Sequence, residues 1–279
     1  MKYCALYNPG SGGKGQGKNP AQRLTEILKD DEVYYRSMPE VKDFRAFFTE
    51  VNDDIIICGG DGTLSYFLNK VKDIHYKNHL LYFPTGSGND FCADLGADGS
   101  RPFNIDALVE KLPVLRVKNE KYVVFNGAGA GIDGYVCAEG ERLRRAGGKV
   151  INYTMAGVKG LLYDFQPRNI LLSVDGVEYT FNNVWFSPIM LGKYFGGGMM
   201  VAPMRDRKRK DLSVVVATCK SRLKVMALFP KIFKGEHVKN RSVVKIFHGQ
   251  KIKVKLDRPA PLQYDGEVIL GVSEYEMEI

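Results

Sequence analysis

Cysteine is scarce and scattered: five residues, at positions 4, 58, 92, 137 and 219, odd in number and with no Cys-x-x-Cys pair. That excludes a small disulfide-stapled scaffold and predicts reduced thiols in the core. Histidine is scarcer still, at 75, 79, 237 and 248. His75 and His79 stand four apart, but no carboxylate motif flanks them and no zinc spacing is present, so no metal site is expected there. Apolar runs never approach the roughly 18 residues that span a bilayer. The chain enters a strand-like segment at once, so neither a membrane span nor a signal peptide is expected, and the cytoplasm is the simplest location. Internal repeats and low-complexity tracts are absent. No recognised nucleic-acid motif accompanies the basic residues, and nucleic acid is not expected as a partner.

What is present is enough to build a large core: 279 residues, 44% of them hydrophobic. Two domains fit this length. Up to about residue 117, strand-like and helical runs alternate, as in a parallel α/β sheet, whereas after about 165 short strands with turn signals dominate. Residues 168–174, Asp175-Gly176 and 177–181 predict a hairpin with a type I′ turn. Further strands are expected over 184–190, 213–219, 243–247, 252–256 and 262–264, together an antiparallel sandwich. Helices are expected over 139–146, 149–165 and 223–233, the last broken at Pro230.

The most informative motif is Gly59-Gly60-Asp61-Gly62-Thr63. It follows the apolar run 54–58, which has the character of a strand buried on both faces. Glycines here let the backbone turn with its N–H groups exposed. Leu64, Phe67, Leu68 and Val71 then follow at helical spacing, so a helix N-terminus points at the same spot. Taken alone, the motif is equally an ordinary strand-to-helix turn. Two more glycine-rich loops change the balance. Asn8-Pro9-Gly10-Ser11-Gly12-Gly13-Lys14-Gly15 follows the strand-like 2–7 without Walker spacing. Pro84-Thr85-Gly86-Ser87-Gly88-Asn89-Asp90-Phe91 follows the strand-like 80–83. In an open parallel sheet, three loops after three strands converge on one crevice.

In this order and separation, the three loops resemble those of the diacylglycerol kinase catalytic family, which includes bacterial diacylglycerol kinases and sphingosine kinases. Phe125-Asn126-Gly127 with Gly129, Gly131, Ile132 and Asp133 is similar to a mid-chain element of that family. Gly196-Gly197-Gly198 with Ala202-Pro203 is similar to a later one, and Asp265-Gly266-Glu267 to its terminal Asp-Gly-Glu. The resemblance implies an N-terminal α/β nucleotide-binding domain, 1–118, and a C-terminal antiparallel β-sandwich lipid-substrate domain, 119–279. It also implies that the active site lies in the cleft between them and that the last few residues pack back on the first domain. The implied activity is ATP- and Mg²⁺-dependent phosphorylation of a lipid hydroxyl, diacylglycerol or a relative.

Phosphoryl transfer asks mainly for positioning and charge neutralisation. The resemblance assigns the ATP site to Asn8, Pro9, Gly10, Ser11, Gly12, Ser37, Gly59, Gly60, Asp61, Gly62, Thr63, Ser87 and Asn89, with Asp61 holding catalytic Mg²⁺ through water. Asp265 is the implied general base, and Glu267 either assists or is itself the proton acceptor. Without the upstream motifs, Asp265-Gly266 is a plain hairpin turn. Asp90 organises the cleft or caps the following helix, and Asp133 is a contact for the lipid headgroup. Three departures stand out: Tyr66 where many members have glutamate, Leu115 where bacterial members have aspartate, and Arg209-Lys210 where relatives with a structural metal have Asp-Gly. No structural metal is therefore expected, although Asp206 or Asp211 is placed to compensate. NAD kinase, which shares the GGDGT loop, and a non-catalytic lipid or nucleotide binder remain as alternatives.

Charge adds a partner. The net charge of +8 is partly clustered over 205–210, basic everywhere but Asp206, and again at Arg142, Arg144, Arg145, Lys149, Lys220, Arg222, Lys224, Lys231 and Lys234. These are solvated surfaces or, for a lipid substrate, a face for reversible association with a membrane. A homodimer is compatible with the sequence, which identifies no interface.

Overall fold

The computed structural model describes residues 1–9, 20–146 and 164–279. Packing divides the chain into two compact units, Met1–Leu112 and Pro113–Ile279. The boundary falls one strand earlier than the expected 118/119, because the strand that follows Pro113 pairs with the second unit.

The first unit is built on five strands, β1 (Lys2–Tyr7), β2 (Glu32–Ser37), β3 (Asp54–Gly59), β4 (Leu80–Pro84) and β5 (Phe103–Asn104), in the order β2-β1-β3-β4-β5. The first four run parallel, and β5 is antiparallel to β4. Helices α1 (Pro20–Ile27), α2 (Phe44–Glu50), α3 (Asp61–Val71), α4 (Asp90–Leu95) and α5 (Asp106–Val109) connect them. Ile55, Ile56, Ile57 and Cys58 are fully buried, as a central parallel strand covered on both faces requires. Tyr3, Ala5, Ile56, Cys58 and Phe83 meet Leu24 of α1 in one core. Because β1 leads one way to β2 and the chain then returns to β3 on the other side, the direction of winding reverses between β1 and β3. At such a switch, the carboxyl ends of the strands leave a crevice.

The second unit is all antiparallel. Its strands are β6 (Val114–Val117), β7 (Glu120–Val123), β8 (Gly127–Ala130), β9 (Arg168–Val174), β10 (Val177–Phe186), β11 (Ile189–Met190), β12 (Tyr194–Phe195), β13 (Met199–Met200), β14 (Leu212–Thr218), β15 (Val244–Gly249), β16 (Lys251–Tyr264) and β17 (Glu267–Glu278). Ten of them form one sheet in the order β7-β6-β17-β16-β8-β11-β14-β10-β9, with β15 on β14. A further pairing of β16 with β9 turns the sheet back on itself. Helices α6 (Ile132–Arg145) and α7 (Arg222–Leu228) pack on it. Trp185, Phe186, Met190, Val215 and Val244 form the core beneath them.

Several expectations differ in detail. The two strands expected over 252–256 and 262–264 are one long β16, irregular between Lys255 and Ala260. Its twelve-residue partner β17 was not expected at all. The helix expected to start at 139 begins at Ile132, and most of the one expected over 149–165 lies outside the described residues. The Pro230 break is present: α7 gives way there to a 3-10 helix, Phe229–Lys234. All five cysteines are free thiols. Among the described residues, no helix is long and apolar enough to cross a membrane.

The predicted hairpin turn is formed by Asp175 and Gly176, with φ of 49° and 88°, the left-handed pair that a type I′ turn needs. Asp175 does more than turn the chain. Its Oδ1 accepts from Gln250 N at 3.0 Å and Lys251 N at 2.8 Å, tying the β9–β10 turn to the start of β16. Asp175→Ala is therefore expected to cost about 1–2 kcal/mol, seen as a lower urea midpoint, while Asp175→Asn, which keeps the turn and an acceptor, loses less.

Candidate functional site

Each unit carries a cluster built around one carboxylate that is held by backbone amides from a distant loop. In the first unit this residue is Asp61, in the opening turn of α3. Its Oδ2 accepts from Asp90 N at 2.8 Å and its Oδ1 from Phe91 N at 3.1 Å. These are the first amides of α4, so Asp61 caps that helix from outside. The sequence had suggested Asp90 for that task. Instead Asn89 occupies the cap position without a side-chain bond to the helix, and Asp90 is buried.

Asn89 has another job. With φ of 50° it turns the chain left-handed, its Nδ2 donates to Gly86 O at 2.8 Å, and its Oδ1 accepts from Gly86 N at 3.1 Å. That closes the loop and leaves Ser87 exposed at its tip. Gly86 lies directly against the second glycine loop: a Cβ there would stand 2.5 Å from the Gly60 Cα. Any side chain at Gly86 would force the two loops apart. A Cβ on Gly62 would meet nothing within 4 Å, so the first turn of α3 is open on that side.

The carboxyl ends of the four parallel strands therefore gather Asn8 and Pro9 after β1, Ser37 at the end of β2, Gly59 to Thr63 after β3, and Ser87, Asn89 and Asp90 after β4. Ser37 and Thr63 are buried. Gly10, Ser11 and Gly12 lie outside the described residues. Among the described residues, three buried hydroxyls, Ser65 Oγ, Tyr82 OH and Thr85 Oγ1, find no hydrogen-bond partner. Burial, with the charge of Asp61 next, pushes the Tyr82 phenol well above its ordinary range, so it stays a neutral donor. Open helix amides, touching glycines and orphaned hydroxyls suit a phosphate chain. A carboxylate has about four acceptor positions, so bonding backbone amides is compatible with accepting from metal-bound water as well.

In the second unit the anchor is Asp265, 6% exposed, in a left-handed turn with φ of 45° between β16 and β17. Its Oδ2 accepts from Phe125 N at 2.8 Å, and its Oδ1 from Asn126 N at 2.9 Å and Gly127 N at 3.0 Å. Burial pushes the carboxyl up to about 7, against these three amides and the charge of Arg207, which draw it down. Arg207 also fixes the peptides that supply those amides: its guanidinium donates to Phe125 O and to Asn126 Oδ1.

Arg207 was not recognised as a site residue; it sat in the run 205–210, taken for a solvated loop or a membrane-facing patch. The structure corrects this. Arg205 is 2% exposed and donates to Leu191 O, Asp211 and Ser213 Oγ. Arg209 pairs with Asp211, so Asp211 is engaged by two arginines. Only Lys208 and Lys210 simply face outward. Arginine stands at every second position, with Asp206 and Lys208 between, but Arg209 on the same period is exposed, so the spacing alone did not single out Arg205 and Arg207.

Asp133, in the first turn of α6, is also buried, and among the described residues its Oδ1 finds no hydrogen-bond partner. Burial pushes its carboxyl up to about 6, with Gln263 the main opposing contact. Gln263 reaches Asp133 Oδ2 at 3.4 Å and accepts from Gly266 N at 3.4 Å, so it links Asp133 to the Asp265 turn by two long contacts. Cys137 feels the charges of both Asp133 and Glu267. The Glu267 carboxyl is raised by desolvation, then by Glu141, with Arg144 opposing. The structure thus links Asp133 to the Asp265 turn through Gln263, while the charges acting on Glu267 are those of Glu141 and Arg144. The departures are ordinary packing: Leu115 is fully buried opposite Met277, and Tyr66 lies under Lys70 at the surface.

Two family profiles match the chain: the diacylglycerol kinase catalytic domain over residues 2–116, and the YegS C-terminal NAD kinase beta sandwich-like domain over residues 126–276. The chain is similar to YtlR of Bacillus subtilis (strain 168), provisionally named a lipid kinase, at 24% identity over 91% of this chain and 84% of that one. It is similar to the diacylglycerol kinase of Mycobacterium tuberculosis (strain ATCC 25618 / H37Rv) at 26% identity, over 67% of this chain and 62% of that protein's length. A crystal structure from Bacillus anthracis str. Sterne, provisionally titled a diacylglycerol kinase, superposes with a TM-score of 0.72 at 17% identity, covering 99% of this chain and 91% of that one. At that identity the likeness is one of fold.

The raised carboxyls make a pH dependence of stability with a definite sign. Asp133 ordinarily titrates at 3.8 and here at about 6, so within that window the folded state holds a proton that the unfolded state has lost. Its contribution to stability is present below 3.8 and falls away as pH rises to about 6. Asp133→Asn removes this loss. The variant's urea midpoint relative to the unchanged protein is expected to rise across that window and to stay level above it; a constant difference contradicts the assignment.

Proposed function

Because the chain belongs to the diacylglycerol kinase catalytic family, we propose that it transfers the γ-phosphate of ATP, with Mg²⁺, to a lipid hydroxyl, that of diacylglycerol first, giving phosphatidic acid. The observation that carries this reading is the Asp265 carboxyl: buried, fixed by three backbone amides, and pushed up to about 7. A general base works best when its pKa lies near the operating pH. On this reading, Asp265 takes the proton from the acceptor hydroxyl, and Glu267 carries it away or replaces Asp265 as acceptor. Asp133, buried with one oxygen unpartnered among the described residues, binds a hydroxyl of the lipid headgroup. Arg207 is a positioning residue that acts through Phe125 and Asn126.

The first unit is assigned to the nucleotide. Asn8, Ser37, Gly60, Gly62, Thr63 and Ser87 line the phosphates, the family resemblance extends that assignment to Gly10, Ser11 and Gly12, and Asp61 orients metal-bound water while holding α4 in place. When bound, ATP supplies the phosphoryl group and Mg²⁺ offsets its charge. A lipid acceptor requires work at a membrane surface, so reversible association from the cytoplasm is part of the proposal.

Transfer of labelled phosphate from ATP to a panel of lipids in mixed micelles, with NAD as a further acceptor, tests this directly. Labelled lipid is expected, and Asp265→Asn lowers the rate at least about 100-fold, the usual contribution of a general base. Labelled NADP in place of lipid moves the assignment to NAD kinase, and nucleotide binding without any product favours a non-catalytic relative.

Arg207 has its own signature. The rate per enzyme at low lipid concentration should rise with pH about a midpoint near 7. Arg207→Met removes a cation that favours the carboxylate, so that midpoint moves up. A lower maximum with no movement of the midpoint reduces Arg207 to a structural part.

A further inference from the structure

From Lys220 to Gly235 the sequence runs KSRLKVMALFPKIFKG, with five basic residues and no carboxylate. In the structure this is α7 followed by the 3-10 helix Phe229–Lys234. Val225, Met226, Leu228, Phe229 and Ile232 pack inward on the core that holds Trp185 and Val244. A surface helix whose apolar stripe is already buried normally shows water a polar face. This one does not. Leu223 is 75% exposed and Phe233 41%, with Ala227 and Pro230 exposed between them. Lys220, Lys224, Lys231 and Lys234 are exposed on the same segment. Arg222 is turned inward over the Trp185 ring and donates to Phe165 O. The next acid in the sequence, Glu236, lies 3.7 Å from Lys239.

Lysines around exposed apolar side chains, with no carboxylate from Lys220 to Gly235 and with Glu236, beside Lys231, paired to Lys239, match one kind of surface on both counts. Lipid phosphates complement the ammonium groups, and the boundary between headgroups and acyl chains accepts Leu and Phe. A nucleic-acid backbone would use the lysines and leave Leu223 and Phe233 in water. We propose that residues 220–234 form the surface by which the protein docks on an anionic lipid bilayer. Leu223 and Phe233 enter the headgroup layer, and Lys220, Lys224, Lys231 and Lys234 face lipid phosphates. This role rests on the lipid kinase reading for its purpose, but its test is independent of catalysis.

Each lysine held near an anionic leaflet contributes about fivefold in partitioning, and salt screens it. Neutralising three lysines therefore lowers binding on the order of 100-fold. The test is flotation of the full chain with vesicles of phosphatidylcholine alone, or of phosphatidylcholine and phosphatidylglycerol in equal parts. The unchanged protein should float with the anionic vesicles only, and be released by salt. Leu223→Ser/Phe233→Ser and Lys224→Gln/Lys231→Gln/Lys234→Gln should both stay at the bottom, with unaltered thermal unfolding and undiminished turnover of short-chain, water-soluble diacylglycerol. Variants that float like the unchanged protein overturn the proposal. So does equal flotation without anionic lipid, or retention by a duplex oligonucleotide in place of vesicles. If no lipid is phosphorylated and yet flotation follows the expected pattern, docking stands and the kinase assignment falls.

Discussion

A buried carboxylate that accepts backbone amides from a remote loop is the interaction on which both candidate sites depend. Asp265 joins the β16–β17 turn to Phe125, Asn126 and Gly127, across 138 to 140 residues of sequence. Asp61 joins the start of α3 to the start of α4. Charge-assisted bonds of this kind are stronger than neutral ones and fix a direction as well as a distance. Each carboxylate holds a glycine-rich loop in place, and on the proposed reading it also presents its charge to the chemistry. Asp265 differs in being almost wholly dry. Desolvation works against its charge while amides and Arg207 work for it, and the balance leaves a group able to gain and lose a proton in the neutral range.

Glycine makes these arrangements possible by allowing close approach. Gly60 and Gly86 touch backbone to backbone. In β8, a Cβ on Gly127 would strike Met190 and one on Gly129 would strike Asp133 and Pro188. The second of these contacts brings the Asp133 carboxylate against the sheet beside Gln263. The same residues that let the chain turn in the first unit let it pack flat in the second.

That double use explains what the sequence disclosed and what it hid. The loops after β3 and β4 were legible because glycine chemistry and the following helical periodicity are local, and parallel topology then places them at one edge. The Asp175-Gly176 turn was legible for the same reason. Strand β8, Gly-Ala-Gly-Ala, was not, since glycine at alternate positions looks like loop until its neighbours are known. In β17 the legible signal lies only in the second half, where Glu274, Tyr275, Glu276, Met277 and Glu278 alternate polar and buried apolar and the glutamates pair across the strands with Lys251 and Lys253 of β16; its first half, with Leu270 and Gly271 exposed, breaks that alternation. The inward turn of Arg205 and Arg207 was hidden by charge: six residues with five cations suggest a solvated loop, and only burial distinguishes the arginines that bond carbonyls and Asp211 from the lysines that face water. The capping of α4 by Asp61 is a contact across about thirty residues that no local pattern encodes.

The central claim is that Asp265 combines anchorage with proton transfer, and a carboxyl-carbon NMR titration of Asp265 in the intact protein tests it most directly. The account predicts a midpoint near 7. A midpoint at or below the ordinary 3.8 would show that the three amides outweigh burial and hold the carboxylate ionised throughout, leaving Asp265 an anchor and shifting the base to Glu267.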